Sequence, residues 1–253
     1  MDSVNNYKLA FIIGHKYFEG YPSYLQYYID NINKNYPDSL IIIIDNNSSN
    51  PDKVSENLAG QNVTLLRNNI ECKFELGAYK VGMQYVIGQN LLHQYDYFIF
   101  TQDTYVLKNK YDFNILKQNA VEACSLIGWK NDWEVFEICA PVLTSIGLVN
   151  RLDQANLCWC NSFIVSNKRL VSLYDLTKDI IITNRRESMA SERYLGLILY
   201  ELNNQRNFAI DGSDNNYLVN GKSFNCLEID MYSDVNKHFC KVCQQKNETT
   251  KDK

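Results

Sequence analysis

Leu40-Ile41-Ile42-Ile43-Ile44-Asp45-Asn46-Asn47-Ser48-Ser49-Asn50 is the stretch that decides how this chain folds. Five apolar residues in a row, four of them β-branched, read as a strand buried on both faces. The polar cluster that follows reads as the loop at its carboxyl end. The same grammar repeats on either side. Lys8 to Gly14 is another short apolar run, and Tyr24 to Asn33 carries Leu25, Tyr28, Ile29 and Ile32 at helical spacing. Pro51 suits the first turn of a helix ending near Ala59. Val63 to Leu66 predicts a strand, Gly77 to about Leu92 a longer helix, and Tyr97 to Phe100 a strand ending at Thr101, Gln102 and Asp103. This alternation predicts an α/β chain with a mainly parallel, Rossmann-like sheet and right-handed crossovers.

The rear half is less regular. Cys124 to Trp129, Val135 to Ala140 and Trp159 to Val165 read as strands, and Phe208 to Ile210 and Ser223 to Ile229 as two more short ones. Ser188 to Asn203 reads as a strong helix, with Tyr194, Leu195, Ile198 and Leu199 on one side. With no repeat or linker visible, one domain over residues 1–253 is the simplest account. It has a front half of about 1–106, a mixed rear half of about 107–243 and a polar tail, 244–253, expected to fray.

Composition narrows the classes. The chain has 253 residues, 45% of them hydrophobic, enough for a sizeable core. Its 25 Lys and Arg against 29 Asp and Glu argue against a general phosphate-backbone binder, so no nucleic-acid partner is expected. No stretch approaches the ~18 apolar residues of a membrane span, and Leu9 to Ile13 is too short for a signal peptide. Eight cysteines in a chain of this size, without a signal, point to reduced thiols and a cytoplasmic location. That would be the host cytoplasm for a viral protein; the Asn- and Ile-rich composition suits an AT-rich viral or bacterial genome. The Asn-X-Ser/Thr triplets at Asn47, Asn62 and Asn247 are then incidental.

Ligands of open parallel sheets bind beyond the carboxyl ends of the strands. Gly14 and His15, Asp45 to Ser49, Glu75 to Gly77, and Gln102-Asp103 should therefore share one edge. No Gly-X-Gly-X-X-Gly follows the first strand and no Walker-type Gly-Lys-Ser/Thr occurs, which removes the common dinucleotide and P-loop sites. A carboxylate at Asp45 can still accept a hydrogen bond from a nucleobase imide, or simply cap a turn. One at Asp103 can meet ribose hydroxyls or a metal.

At this point the sequence resembles a family. Ile41 to Asn50 is similar to the apolar strand ending in Asp-Asp/Asn-Gly-Ser-X-Asp of GT-A glycosyltransferases, the inverting family 2 type and its rhamnan-synthesis-like relatives. Asn47 stands at the Gly position, where Asn is the next best left-handed residue. Glu75-Leu76-Gly77-Ala78-Tyr79-Lys80-Val81-Gly82 resembles the Gly-rich helix start beside the donor, and Tyr97 to Thr104 sits where the Asp-X-Asp motif falls. The resemblance covers about residues 8–106. It implies a GT-A fold, with a nucleotide-sugar-binding half and a mixed acceptor half, and transfer of a sugar from a UDP-type donor to a glycan or protein acceptor. Asp45 would contact the base, and Gly14, His15, Gly77, Lys80, Gln102 and Asp103 would line the donor site.

The sequence departs from the family at the metal. Only Asp103 remains of Asp-X-Asp, and Mg or Mn prefers several hard oxygen ligands. Either Asp103 holds the cation with donor phosphates, with His238 completing the shell as a C-terminal His does in some GT-A enzymes, or a cation such as Lys80 neutralises the leaving diphosphate. An inverting transferase also needs a base for the acceptor hydroxyl. Glu192, in Ser188-Met189-Ala190-Ser191-Glu192, resembles the family's acidic helix opening, with Asp153 as rival; a solvated first-turn Glu is the plainer reading. Trp159 could stack on an acceptor sugar or belong to the core, and Trp129 and Trp133 bracket a loop that could face the acceptor.

Cys158-X-Cys160 and Cys240-X-X-Cys243 could together hold a structural zinc. A strand at 158–160 would instead point the two sulfurs opposite ways, which favours separate thiols. No Cys has the setting of a protease nucleophile. Two rivals to glycosyl transfer stand beside it. One is a nucleotidyltransferase, for which His15 to Gly20 is a poor phosphate loop. The other is a non-catalytic nucleotide- or sugar-binding protein on a degenerate GT-A fold.

Overall fold

Four parallel strands form the front of the sheet, and their registers set where every functional group falls. The computed structural model describes residues 7–19, 23–130, 134–210 and 238–241. The strands are β1 (Leu9–His15), β2 (Leu40–Asp45), β3 (Thr64–Arg67) and β4 (Tyr97–Gln102), in the spatial order β3-β2-β1-β4. Between them run α1 (Leu25–Asn35), α2 (Pro51–Asn57) and α3 (Phe74–Gly88). β1 is buried along its whole length and β2 along all but its first residue, as their unbroken apolar runs require.

Alternation along the strands divides the core in two. Phe11, Ile13, Ile41, Ile43 and Ile99 face α1, while Ile12, Ile42, Ile44, Phe98 and Phe100 face α3 and the rear-half helices. The rear half supplies β5 (Tyr105–Leu107), α4 (Asn114–Gln118), β6 (Ala123–Ser125), β7 (Gly128–Lys130), α5 (Phe136–Ser145), β8 (Asn156–Cys158), β9 (Phe163–Ser166), α6 (Leu170–Thr177), α7 (Arg185–Leu202) and β10 (Phe239–Lys241). β9 pairs antiparallel with β4, and β6 antiparallel with β9, extending the sheet to six strands. β5 pairs with β10 and β7 with β8 as separate two-stranded ribbons. The result is an α/β molecule with a mixed, mostly parallel sheet. Among the described residues no helix is long and apolar enough to cross a membrane.

The rear-half expectations need correction. Residues 135–140, expected as a strand, open α5, which buries only Cys139 and Leu143, one turn apart. A six-residue stretch with five apolar residues does not separate strand from helix by period. The strand expected over 124–129 is two strands in different sheets, β6 and β7, broken at Leu126 and Ile127. The strand expected over 159–165 begins as a 3-10 turn, Trp159–Asn161, and becomes extended only in β9. Around 208–210 a single bridge joins Ala209 to Ser125. Residues 223–229 and 244–253 lie outside the described residues.

The front-half helix α3 starts at Phe74, three residues earlier than expected, so Glu75 to Gly77 lie in its first turn. α7 starts at Arg185, with the Asn184 side chain accepting the Glu187 N–H at 3.1 Å as an N-cap. Gly196 lets this helix touch β8, because a Cβ there would lie 2.0 Å from the Asn156 carbonyl oxygen. Asn184→Ala should cost about 1 kcal/mol in urea denaturation, the usual worth of such a cap. An unchanged midpoint would show that tertiary packing alone fixes the start of α7.

Candidate functional site

The register of β1 brings three strand ends side by side. His15 lies opposite Asp45, and Gly14 opposite Gln102. Asp45 is 4% exposed, and its Oδ1 accepts the Ser48 N–H at 3.0 Å across a turn in which Asn47 has φ 61°. The turn-capping reading of Asp45 therefore holds for one of its oxygens, and Asn47 adopts the left-handed conformation the sequence suggested.

The loops leaving β1 and β2 are stitched together. The Asn46 N–H donates to the His15 carbonyl at 2.7 Å, the Tyr17 N–H to Ser48 Oγ at 2.7 Å, and the Ser49 N–H to the Tyr17 carbonyl at 3.2 Å. The end of β4 joins them. The Asp103 N–H donates to the Gly14 carbonyl, and Asp103 Oδ2 accepts from His15 Nδ1 at 2.6 Å and from the Lys16 N–H at 3.3 Å. Both side chains of this pair are buried, His15 at 2% and Asp103 at 7% exposed. Sequence reasoning placed them at one edge without pairing them, because the pairing depends on the β1–β4 register, in which Leu9 lies opposite Tyr97. Beneath the pair, the Tyr28 hydroxyl meets Thr101 Oγ1 at 3.0 Å, and burial pushes that phenol far above its ordinary range.

α3 closes one flank. A Cβ on Gly77 would lie 2.1 Å from the Cys72 carbonyl oxygen and 2.8 Å from Asn68 Nδ2, so only glycine fits. The Asn68 amide donates to both Asn46 Oδ1 and the Cys72 carbonyl, and the Asn46 amide donates to the Phe74 carbonyl. Gly77 thus acts by close approach to the chain that supports the Asp45 loop. Lys80 does not offer its charge to this edge. It is 4% exposed, and its Nζ donates to the Ile180 carbonyl at 2.7 Å.

The opposite flank is the turn Trp159–Asn161. Cys160 and Asn161 both have positive φ, 50° and 52°, a costly backbone state for residues with side chains. Cys160 is held from two sides: its carbonyl accepts from Gln102 Nε2 at 2.9 Å, and its N–H donates to Glu192 Oε1 at 3.1 Å. Glu192 is the eighth residue of α7, not its opening, so neither the helix-start position nor the solvated first-turn alternative describes it. Its side chain is 19% exposed and its Oε2 lies 3.6 Å from Arg193 Nη1. Glu75, previously only the edge of a segment, belongs here as well. Its Oε2 accepts from Ser188 Oγ at 2.9 Å and from Asn161 Nδ2 at 3.5 Å, and Ser191 Oγ donates to Asn161 Oδ1. Trp159 is half-buried and meets Tyr105 edge-on at 6.5 Å.

Asp153 is in the 3-10 turn Val149–Gln154 that precedes β8, and Trp129 is in β7; Trp133 is outside the described residues. His238 packs edge-on against Tyr111 at 5.0 Å, and its carbonyl accepts the Lys108 N–H. That is the end of the β5–β10 ribbon away from Asp103. Cys158 ends β8 while Cys160 is in the turn, so the two do not share a strand; Cys243 lies outside the described residues. Burial pushes the Cys124 and Cys158 thiols well up, which suits inert core groups rather than nucleophiles.

The residues at the edge do not by themselves make a complete site for Mg or Mn. Asp103 is the one carboxylate at the tip of β4, and its Oδ2 already accepts two hydrogen bonds. The Gln102 Oε1 that could assist accepts from Thr104 Oγ1 at 3.0 Å. No cluster of three or more His, Cys, Asp or Glu able to hold a metal occurs among the described residues. Mg usually keeps several waters and takes one or two carboxylates together with substrate phosphates, so Asp103 would hold such an ion only in company with a donor's phosphates. No protein-family model matches the chain, and comparison with curated proteins gives no match either.

Proposed function

We propose that the protein is an inverting glycosyltransferase of the GT-A type, taking its sugar from a nucleotide-diphosphate donor of the UDP class. One observation carries this reading. The carboxyl ends of three parallel strands present Asp45, His15 and Asp103 at a single edge, and Cys160 ties that edge through Gln102 to a third acid, Glu192. Ligands of open α/β sheets bind at such an edge. Asp45, with Oδ1 holding its turn, would accept the base imide on its other oxygen. The sugar would lie between Gln102 and Trp159. Glu192 takes the proton of the acceptor hydroxyl as the acceptor oxygen bonds to the anomeric carbon; the carbon–oxygen bond to phosphate breaks and the diphosphate leaves with the electron pair. The acceptor would be a glycan or a protein hydroxyl, and the free buried thiols suit a cytoplasmic setting.

Calorimetry against a panel of nucleotide sugars, with and without Mn, tests the proposal. Asp45→Ala should weaken nucleotide binding by ~1–3 kcal/mol through loss of a buried hydrogen bond. Equal affinity in that variant would remove Asp45 from the site, and absence of nucleotide binding in the wild type would end the reading. A second reading, a non-catalytic binder of nucleotides or sugars, draws support from the internal engagement of Asp103 by His15 and of Glu192 by Cys160. Binding without sugar transfer would favour it.

A further inference from the structure

We infer that Lys16 is the cation that meets the diphosphate of the donor, and that Asp103 serves as its positioning residue rather than as a metal ligand. The inference rests on the nucleotide-sugar reading above and answers a question that reading leaves open. A departing diphosphate gains negative charge, which must be met by a metal or by a protein cation. At the tip of β4 the edge offers a metal only Asp103, whose Oδ2 already accepts from His15 and the Lys16 N–H, and Lys80 is buried with its ammonium committed to the Ile180 carbonyl.

Among the described residues of the loops at this edge, two lysines remain exposed, Lys16 and Lys73. Lys73 precedes α3, and its backbone N–H donates to the Ile182 carbonyl, on the side facing the α6–α7 connection. Lys16 directly follows His15, between the Asp45 turn and Asp103. It makes no ion pair among the described residues, and its Nζ lies 4.8 Å from the centre of the Phe18 ring, a contact an anion can readily replace at an exposed site.

Its backbone is held by hydrogen bonds at Lys16 itself and at the next residue. Asp103 Oδ2 takes the Lys16 N–H together with His15 Nδ1, and the next residue, Tyr17, is bonded through both its N–H and its carbonyl to Ser48 and Ser49. The acid at the tip of β4 therefore holds the start of the loop, and the loop carries the charge. Such preorganisation lets a single ammonium contribute more than a freely moving one would.

The test is titration of the full-length protein with UDP, GDP, CDP and dTDP, each beside its own nucleoside, in EDTA and in Mn. The wild type should bind one diphosphate with the same affinity in both buffers. Lys16→Ala should weaken that diphosphate about tenfold or more while leaving the nucleoside unchanged, the loss expected for one charge-assisted contact. Lys16→Arg should recover most of it, and Lys73→Ala should have no effect. Asp103→Asn should weaken the diphosphate in the wild-type background and add little to Lys16→Ala, a coupling that a purely structural role would not give. Equal diphosphate affinity in Lys16→Ala, transfer of the loss to Lys73→Ala, or collapse of binding in EDTA would each overturn the assignment while leaving the nucleotide reading intact. Failure of every diphosphate to bind the wild type would overturn that reading, and this inference with it.

Discussion

Glu192→Gln should bind the donor as tightly as the wild type and transfer sugar ~10²–10⁴-fold more slowly, the range that follows loss of a general base. The substitution is close to isosteric. A Gln carbonyl can still accept the Cys160 N–H, so the strained turn and its link to Gln102 should persist. Arg193 keeps the Met189 carbonyl at 2.8 Å and Glu134 at 3.7 Å as partners, so its buried guanidinium is not stranded. What Gln cannot do is take a proton. Donor affinity by calorimetry and single-turnover transfer should therefore separate cleanly, whereas Asp103→Asn should damage donor binding first. Normal transfer by Glu192→Gln with inactive Asp153→Asn would move the base to the turn at 149–154.

The front half was readable because its strands are buried on both faces. Burial of that kind forces continuous apolar runs at Leu9–Ile13 and Leu40–Ile44, and such runs have few other interpretations in a chain with helical spacing between them. From the alternation alone it follows that His15, Asp45 and Asp103 share an edge. Their mutual bonding does not follow, since the His15–Asp103 contact depends on a register that sequence spacing leaves free by a residue or two. The rear half resisted for another reason. Its strands are three or four residues long and pair across distant parts of the chain, so local pattern carries little weight. The helix that takes up residues 136–140 packs against α7, with Cys139 Sγ donating to the Ala190 carbonyl, a partner 51 residues away that the local pattern does not show. Lys80 shows the same limit at the site. A lysine one turn beyond Gly77 looks ligand-facing in sequence, yet a carbonyl a hundred residues away claims it.

Gly77→Ala should be the most damaging single-methyl change on α3, and its comparison with Gly88→Ala tests whether the Asp45 loop is supported from this helix. At Gly77 the added Cβ would lie 2.1 Å from the Cys72 carbonyl oxygen and 2.7 Å from the Cys72 carbonyl carbon. Both are backbone atoms, so no rotamer change relieves the overlap. The third neighbour is Asn68 Nδ2, whose two hydrogen bonds reach Asn46 and Cys72. Overpacking of about 1–3 kcal/mol and loss of a buried amide bond at a similar ~1–3 kcal/mol oppose a helix-propensity gain of roughly 1 kcal/mol. The net loss should be roughly 3 kcal/mol in urea denaturation. Gly88, on the same helix, has nothing within 4 Å of an added Cβ, so Gly88→Ala should be neutral or stabilise by up to about 1 kcal/mol. Nucleotide affinity should follow Gly77 and ignore Gly88, because the chain from Gly77 runs through Asn68 to Asn46, the residue beside Asp45. A Gly77→Ala protein as stable as Gly88→Ala would show that Cys72 yields easily. Retained stability with lost nucleotide binding would instead place the glycine against the ligand itself, the role its position beside a donor site first suggested.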